Sequence, residues 1–402
     1  MRDKIVLAYS GGLDTSTAIK WIQDKYDVDV VTLTINVGQG DDIAKIEKNA
    51  KTIGAVKHFT IDARKEFVED YIFKAIKANA LYEGKYPLSS ALSRPLIATK
   101  LVQVAKEENA IGVAHGCTGK GNDQVRFDVT IKSLAPELKI IAPMREWNLT
   151  RPEELNYLQE HDILLPFEVN KKFSIDRNLW GRSIEGDVIE QPNLEPPEDA
   201  FLWTTSPEKA PDTPEYVSIG FTNGIPSMLN GQNCDPLQLI DDLNRKAGKH
   251  GVGRIDQLED RLVGIKSREV YECPAAISIL EAHRDLEKAV LTRHELTFKR
   301  LVEEQWCFLV YAGLWLEPLR TDLDAFIDET QQNVTGEVRL KLYKGGLHIV
   351  GRSSPLSLYN TRLATYGDKS TFDQTWSEGF IELWGLPTLA ANVVRKKNRP
   401  LK

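Results

Sequence analysis

Short apolar runs alternate with stretches of helical periodicity from the start of the chain to Leu165. The apolar runs predict β-strands at Ile5–Leu7, Val28–Ile35, His58–Ile61, Ile111–His115 and Ile140–Ala142. The periodic stretches predict helices at Thr15–Lys25, Ala44–Ile53, Lys65–Leu81 and Leu96–Glu108. Strands that alternate with helices in this way are typical of an α/β fold, in which a parallel sheet is covered on both faces.

The pattern changes after Leu165-Pro166-Phe167, where the loops become longer and a long helical stretch covers Ile277–Ala312. Alternating polar and apolar positions predict strands at Tyr216–Phe221, Glu337–Tyr343 and Leu347–Val350. This part therefore predicts a second, α+β domain over residues 166–370. Residues 371–402 predict a tail whose apolar side chains need a surface to cover, on this chain or on a neighbouring subunit. These side chains are Trp376, Phe380, Ile381, Leu383, Trp384 and Leu386.

Composition narrows the possible classes of function. The chain has 402 residues, of which 42% are hydrophobic, and a formal net charge of −7, which argues against a nucleic-acid partner. No stretch approaches the ~18 uninterrupted apolar residues of a membrane span, and the start of the chain predicts no signal peptide. The cysteines lie far apart without a Cys-x-x-Cys pair, which predicts a reducing, cytoplasmic location. They are Cys117, Cys234, Cys273 and Cys307.

A serine- and glycine-rich turn, Ala8–Ser16, joins the first predicted strand to the first predicted helix. Helix starts expose unpaired N–H groups, and Gly11 and Gly12 allow a ligand to approach the backbone closely, so the turn predicts a phosphate site. Its spacing fits neither a Walker loop nor the dinucleotide fingerprint. Ser-Gly-Gly-x-Asp-Thr/Ser resembles the pyrophosphate loop of enzymes that cleave ATP between the α and β phosphates. The alternative is a tight turn with Asp14 or Thr15 as the helix N-cap.

A second polar segment, His115–Phe127, follows the fourth predicted strand. Its glycines open the backbone, and Lys120 supplies a cation suited to phosphate oxygens. Asn122 and Asp123 offer hydrogen-bonding groups, and Arg126 can bind a carboxylate through two parallel hydrogen bonds. Ligands bind beyond the carboxyl ends of parallel strands, so we expect both polar loops at that edge of the sheet. The alternative is a flexible surface loop.

Several motifs together resemble the argininosuccinate synthase family, and the resemblance covers nearly the whole chain. The matching segments are Ala8–Ser16, Leu81–Leu88, His115–Phe127, Asn178–Gly186, Gly248–Asp256, Gly264–Glu272 and Ser354–Tyr359. The resemblance implies a nucleotide-binding domain over residues 1–165, of the adenine nucleotide α-hydrolase-like, PP-loop ATP pyrophosphatase type. It further implies a synthetase and multimerisation domain over residues 166–370 and a helical oligomerisation tail over residues 371–402.

The resemblance also implies an activity and a set of contacts. The family joins citrulline to aspartate and cleaves ATP to AMP and diphosphate through a citrullyl-AMP intermediate, in the penultimate step of arginine biosynthesis. It implies Mg²⁺, a homotetramer and a cytoplasmic location. The implied ATP contacts are Ala8, Tyr9, Ser10, Gly11, Gly12, Leu13, Asp14, Thr15, Ser16, Ile35 and Gly116. The implied aspartate contacts are Thr118, Asn122 and Asp123. The implied citrulline contacts are Tyr86, Asn122, Arg126, Ser174, Ser183, Glu259 and Tyr271.

Some of these assignments have structural alternatives. Ile35 stands where some members of the family have Ala, which predicts a tighter adenine pocket. Ala91 stands where some members have a citrulline-binding Ser, so Ala91 is left out of the site. Alternatively, Ser174 and Ser183 are ordinary turn or cap residues. Tyr86 and Tyr271 are alternatively half-buried aromatic residues with a hydrogen-bonded hydroxyl. We interpret His115 and His250 as structural, because the implied mechanism needs no imidazole.

The implied chemistry needs no protein nucleophile, so positioning and charge stabilisation carry catalysis. We expect Lys120 to hold the diphosphate, and Asp14 either to orient the magnesium shell or to cap the helix. We expect Asp123 to accept a proton from the aspartate amine and Glu259 to pair with a substrate ammonium. The rival functions are another ATP pyrophosphatase, acting on an amide or a tRNA, and a non-catalytic nucleotide sensor.

Overall fold

A computed structural model describes residues 2–147, 150–161, 163, 172–367 and 370–398. The first part of the chain, residues 2–163, contains five strands among its described residues. They are β1 (Lys4–Ala8), β2 (Asp29–Asn36), β3 (Lys57–Asp62), β4 (Gly112–Ala114) and β5 (Lys139–Ile141). They form one sheet in the order β3-β2-β1-β4-β5, in which all neighbouring strands run parallel. The predicted α/β fold is therefore confirmed, and each strand overlaps its predicted position.

The helices of this part differ from prediction in two places. In chain order they are α1 (Leu13–Tyr26), α2 (Ile43–Ile53), α3 (Arg64–Glu66), α4 (Phe73–Lys77), α5 (Ser89–Glu107), α6 (Asp123–Leu134), α7 (Pro143–Glu146) and α8 (Arg151–Glu160). A π-helix, Phe67–Ile72, joins α3 to α4, so the predicted single helix is three segments and ends early. Helix α5 begins before Pro95 rather than after it. A proline usually marks a helix boundary, but buried side chains such as Leu92 hold the first turns against the core.

The second part of the chain, residues 172–356, contains two antiparallel sheets. One sheet has the order β11-β12-β7-β6 and consists of β6 (Ser174–Asn178), β7 (Gly181–Glu185), β11 (Arg254–Asp260) and β12 (Lys266–Glu272). The other has the order β10-β9-β8-β13-β14 and consists of β8 (Glu215–Thr222), β9 (Ile225–Leu229), β10 (Gln232–Asn233), β13 (Gly336–Tyr343) and β14 (Gly346–Ser353). The 3₁₀ helices Asp187–Glu190 and Glu198–Ala200 lie between β7 and β8. The strands predicted in this part all lie in the second sheet.

The helical stretch predicted at Ile277–Ala312 is two helices. The helices of the second part are α9 (Pro236–Lys249), α10 (Pro274–Val290), α11 (Arg293–Tyr311) and α12 (Pro318–Gln331). The helical conformation is interrupted between α10 and α11 because Thr292 is the N-cap residue of α11. Its hydroxyl accepts a hydrogen bond from the Glu295 N–H, and the Glu295 carboxylate accepts one from the Thr292 N–H.

Residues Met1–Leu356 form one compact unit. Its largest apolar core includes buried side chains from the parallel sheet and from both antiparallel sheets, among them Leu33, Tyr271 and Val338. This shared core brings the carboxyl ends of the parallel strands close to the sheet that contains β7 and β12. The predicted domain boundary at Leu165-Pro166-Phe167 lies outside the described residues, and the predicted division into domains stays a prediction.

Residues Ser357–Lys402 form a second unit. It contains α13 (Thr361–Ala364) and α14 (Trp376–Asn398). The apolar side chains of α14 that the sequence singled out are all more than half exposed. Over the part of the chain that the structure describes, no helix is long and apolar enough to cross a membrane.

Candidate active site

The glycine-rich turn after β1 leaves the start of α1 uncapped. Gly11 has a φ of +78°, and Gly12 is the N-cap residue, with no side-chain cap bond among the described residues. The alternative interpretation, in which Asp14 or Thr15 caps the helix, is therefore wrong, because both residues lie inside α1. The Ser10 hydroxyl lies 3.2 Å from that of Thr15, across the mouth of the turn. The first N–H groups of α1 thus remain available for an anion.

The loop that follows β4 lies against this turn. Strands β1 and β4 are neighbours in the sheet, so their carboxyl ends lie side by side. Gly116 has no side chain and packs directly on Thr15. The two polar loops therefore meet at one edge of the sheet, as expected from their positions in the sequence.

Hydrogen bonds from a side chain of α6 hold the loop over residues 116–121 in place. Nε2 of Gln124 donates to the carbonyl oxygens of Gly119 and Gly121, at 2.6 and 3.3 Å. His115 is buried, and its Nδ1 accepts a hydrogen bond from the Cys117 N–H while Nε2 lies 2.8 Å from an Asp128 carboxylate oxygen. These bonds favour an ordered loop over the flexible alternative and agree with a structural His115. Thr118 and Lys120 are exposed on this loop.

Asp123, the first residue of α6, lies between two guanidinium groups. Its carboxylate oxygens are 2.8 Å from Nε of Arg94 and 2.8 Å from Nη1 of Arg126. Burial would raise the pKa of this carboxyl, but the charges of Arg94 and Arg126 outweigh that effect and lower it to about 2. A carboxylate with so low a pKa is a weak base, which weighs against the expected role of Asp123 as a proton acceptor.

Arg94 was not identified from the sequence. It lies on α5, and its Nη2 donates to the Asp176 carboxylate at 2.6 Å, so it joins the start of α6 to β6. The hydroxyl of Ser90 donates to the same Asp176 oxygen. The available signal was a charged residue in the middle of an apolar stretch, Ser90-Ala91-Leu92-Ser93-Arg94-Pro95-Leu96.

One face of the β11-β12-β7-β6 sheet presents the predicted citrulline contacts of the second part. Cross-strand pairing places Tyr271 opposite Ser183 and Ser183 opposite Asp176. Because side chains alternate between the faces of a sheet, Ser174 and Glu259 share this face. The interpretation of Ser174 and Ser183 as turn or cap residues is wrong, since both are strand residues.

Glu259 is buried on this face, and both of its carboxylate oxygens accept hydrogen bonds. Its Oε2 accepts hydrogen bonds from the Tyr271 hydroxyl at 2.8 Å and from the Gln257 amide at 3.0 Å. Its Oε1 accepts one from the Tyr311 hydroxyl at 2.6 Å. Burial raises the pKa of the Glu259 carboxyl despite these bonds. The ring of Tyr86 stacks on that of Tyr271, with the ring centroids 4.3 Å apart. Both tyrosines are buried, so the interpretation as half-buried aromatic residues is wrong.

Arg126 carries an unused hydrogen-bond donor. Its Nη1 donates to Asp123 and its Nε to the backbone carbonyl of Tyr311 at 3.1 Å. Its Nη2 is buried and has no hydrogen-bond partner within the described ranges. Asn122, beside it, donates from Nδ2 to the Tyr311 hydroxyl and accepts from the Leu262 N–H. A buried guanidinium nitrogen without a partner is suited to a ligand carboxylate.

Two further residues predicted to contact ATP are Ile35 and Asp14. Ile35 is buried in β2, and its carbonyl oxygen accepts a hydrogen bond from the side chain of Gln39 at 3.0 Å. Asp14, in the first turn of α1, lies beside Glu154 of α8, a residue that the sequence did not single out. Burial and the charge of Asp14 raise the pKa of the Glu154 carboxyl to about 8.

Comparison with known proteins shows the family to which this chain belongs. Residues 4–164 match the family described as the arginosuccinate synthase N-terminal HUP domain, and residues 173–391 match the arginosuccinate synthase C-terminal domain. An argininosuccinate synthase of Pyrococcus furiosus is 58% identical over 388 residues, which cover 96% of this chain and 94% of that protein. Those of Bacillus pumilus and Dictyoglomus turgidum are 54% and 55% identical and cover 98% and 96% of this chain, and 98% and 96% of their own lengths. With both domains matched and relatives aligned over nearly its whole length, the chain belongs to the argininosuccinate synthase family.

Proposed function

We propose that the turn Ala8–Ser16, the loop after β4 and the polar face of the β11-β12-β7-β6 sheet bind ATP, aspartate and citrulline for the reaction of the argininosuccinate synthase family. This chain is an ATP-dependent ligase that joins citrulline to aspartate, in the penultimate step of arginine biosynthesis. The observation that carries the assignment is a pair of opposite charges that both contact Tyr311. The free Nη2 of Arg126 can bind a carboxylate, and Glu259 can bind an ammonium, so together they suit an amino acid.

The phosphates of ATP are assigned to the turn Ala8–Ser16. The uncapped start of α1 supplies N–H groups, and the helix dipole favours negative charge there. Gly116 and Ile35 flank the nucleotide in this proposal, and the exposed Lys120 holds the diphosphate as it leaves. Citrulline lies on the sheet face, where its ureido oxygen attacks the α-phosphorus, diphosphate departs and citrullyl-AMP forms.

Aspartate is assigned to Thr118, Asn122 and Asp123. Aspartate binds as its ammonium and gives up one proton to water, its neutral amine then attacks the ureido carbon, AMP leaves, and the surplus proton of the amine passes to water. We propose that Asp123 anchors the aspartate ammonium and orders Arg94 and Arg126, rather than accepting that proton, because its pKa lies near 2. Catalysis then rests on the positions of the three substrates and on the donors around the phosphates.

Mg²⁺ is proposed as a companion of ATP. Among the residues that the structure describes, no group of three His, Cys, Asp or Glu side chains could hold a metal ion. Mg²⁺ usually keeps several waters and binds through one or two carboxylates together with substrate phosphates. Asp14 is the carboxylate of the phosphate turn and fits that donor set. When bound, Mg²⁺ would neutralise charge on the phosphates.

We also propose a homotetramer in the cytoplasm. The exposed apolar side chains of α14 support a contact with another subunit, since such a surface is costly to leave in water. All four cysteines are free, which agrees with a reducing compartment. Deletion of residues 371–402 should reduce the mass in solution, measured by light scattering. An unchanged oligomer would show that the tail is not the contact.

The proposed function is tested by diphosphate release with ATP, citrulline and aspartate, each omitted in turn. Release should require citrulline, and argininosuccinate should form only with all three. Arg126→Leu and Glu259→Gln should each raise the citrulline KM, whereas Arg64→Leu, which removes an exposed arginine paired with Asp62, should not. Release that does not depend on citrulline would instead indicate another ATP pyrophosphatase, and no release would indicate a nucleotide sensor.

A further inference from the structure

We propose that Tyr311 is a positioning residue for the citrulline site, because its hydroxyl holds Asn122 and Glu259 in one arrangement. This inference rests on the proposed function, in which Asn122 and Glu259 bind substrate. Tyr311 is the last residue of α11 and is fully buried. It lies outside the motifs that relate the chain to its family.

The Tyr311 hydroxyl has both of its hydrogen-bonding roles filled. It accepts from Nδ2 of Asn122 at 2.7 Å and donates to Oε1 of Glu259 at 2.6 Å, with the Asp260 carbonyl oxygen at 3.0 Å as a second, more distant acceptor. Asn122 is the N-cap residue of α6 in the first part, whereas Glu259 lies on β11 of the second part. One oxygen atom therefore contacts two predicted site residues that come from a helix N-terminus and from a strand and are far apart in the sequence.

The position of the Tyr311 ring is itself fixed. The ring stacks on Tyr82 with centroids 3.5 Å apart and planes only 6° from parallel. The Arg126 guanidinium lies 5.0 Å from the ring centroid, and the Tyr311 carbonyl accepts a hydrogen bond from Nε of Arg126. Removal of the hydroxyl alone should leave these contacts in place, so the ring and the hydroxyl can be tested separately.

The two oxygens of Glu259 have different partners, which predicts what the hydroxyl controls. Tyr271 and Gln257 bind Oε2, so they keep Glu259 on the sheet face without Tyr311. Oε1 accepts its hydrogen bond from the Tyr311 hydroxyl, so its orientation depends on that group. Without that hydroxyl, Glu259 can rotate and the amide of Asn122 loses its partner. The expected loss is therefore in the binding of citrulline through Glu259 and, to a smaller extent, of aspartate through Asn122, and not in the binding of ATP.

The test compares Tyr311→Phe with Tyr82→Phe. Both variants keep the stacked rings, but the Tyr82 hydroxyl donates to the backbone oxygen of Asp260 and interacts with the Tyr311 hydroxyl, and within the described residues it has no hydrogen bond to Glu259 or Asn122. Loss of a hydrogen bond to a charged group should raise the citrulline KM about tenfold or more in Tyr311→Phe. The ATP KM should stay within about twofold of the wild-type value in both variants. Thermal unfolding of both variants shows whether each is folded.

A pH profile separates positioning from a general structural defect. The Tyr311 hydrogen bond lowers the pKa of Glu259, whereas burial and the nearby Glu269 raise it. In Tyr311→Phe the pKa of Glu259 should rise, so the acid limb of kcat/KM for citrulline should move to higher pH. Tyr82→Phe should leave this limb in place. An unshifted limb in a folded Tyr311→Phe protein contradicts the proposal.

A double variant distinguishes this inference from the proposed function. If Tyr311 acts through Glu259, adding Tyr311→Phe to Glu259→Gln should raise the citrulline KM by less than Tyr311→Phe does alone. An unchanged citrulline KM in Glu259→Gln would overturn the assignment of Glu259 to substrate, and with it the proposed function. A raised KM in Glu259→Gln, with none in Tyr311→Phe, would overturn only the role of Tyr311. Equal losses for all three substrates in Tyr311→Phe would also overturn it.

Discussion

A β-carbon on Gly116 would lie only 2.8 Å from Cγ2 of Thr15, so the loop after β4 rests directly against the start of α1. Thr15 is buried in the glycine-rich turn, and its hydroxyl contacts the Ser10 hydroxyl and the Gly12 carbonyl. Any side chain at position 116 must therefore push the loop or the turn aside. The absence of a side chain is what allows the two loops to share one site.

Gly116→Ala should weaken ATP binding. The added methyl group is too close to Thr15 to be accommodated without a shift of the turn, so we expect the ATP KM to rise about tenfold, in line with the roughly 1–3 kcal/mol cost of overpacking. Gly121→Ala is the matched control, since its β-carbon would be 3.7 Å from the Thr118 hydroxyl, an ordinary contact. Initial rates at varied ATP compare the two. Equal ATP KM values would show that the turn tolerates the shift.

Gln124→Leu should loosen the loop that carries Thr118 and Lys120. The change removes the donor to two backbone carbonyls and leaves them without a side-chain partner, a loss of about 1–3 kcal/mol. We expect faster amide hydrogen exchange in residues 116–122 and a higher KM for aspartate. Gln103→Leu, which removes an exposed amide of α5, is the control and should change neither. Unchanged exchange in the loop would mean that other contacts fix it.

Local patterns explain why much of the fold could be predicted. The parallel strands, the turn after β1 and the loop after β4 are each encoded within short stretches, so period and glycine content were sufficient. The breaks at the π-helix and at Thr292 were missed because a helical pattern continues through both of them. At Thr292 the capping box, not the hydrophobic period, separates the two helices.

The side chains that order the site could not be predicted in the same way. Tyr311 and Asn122 are 189 residues apart, and Arg94 and Asp176 are 82 apart. No sequence pattern reports such pairs, because they depend on how two sheets pack around one core. The contacts implied by the family resemblance identified the groups assigned to substrates, but not Arg94, Gln124 or Tyr311, which hold those groups in place.

Asp123→Asn should change stability in a pH range that its ion pairs define. The folded-state pKa is about 2, below that of an ordinary aspartate, so the stabilisation is present above pH 4 and is lost as the pH falls toward 2. At neutral pH the variant should lose about 2 kcal/mol in the free energy of unfolding. Urea unfolding between pH 2 and 7 measures this, and an unchanged acid limb would contradict the ion pairs.

Activity of the same variant separates an anchor from a base. As an anchor, Asp123 affects the binding of aspartate, so the KM for aspartate should rise in Asp123→Asn. If turnover at saturating aspartate falls by several orders of magnitude instead, and the aspartate KM does not change, Asp123 takes part in proton transfer. Initial rates at varied aspartate and at a fixed pH near 7 give both constants.

The Glu154→Gln substitution should reduce the fall in the free energy of unfolding that accompanies a rise in pH. The pKa of this carboxyl is raised to about 8 in the folded protein, so its neutral form is favoured by burial. Its contribution is fully present below the unfolded pKa near 4.5 and is lost as the pH rises through 8, at up to roughly 1.4 kcal/mol per pH unit. Glutamine keeps the shape without the proton equilibrium, so the free energy of unfolding of the variant should be flatter between pH 5 and 8.

The control for this variant is Glu160→Gln, an exposed glutamate of the same helix, which should keep the wild-type slope. The position of Glu154 beside Asp14 adds a second readout, because ionisation of Glu154 places another negative charge near the proposed phosphate site. In the wild type the ATP KM should therefore rise between pH 7 and 9, and in Glu154→Gln it should rise less. Parallel ATP KM curves for the two proteins would show that Glu154 stays neutral throughout this range or does not influence the phosphate turn.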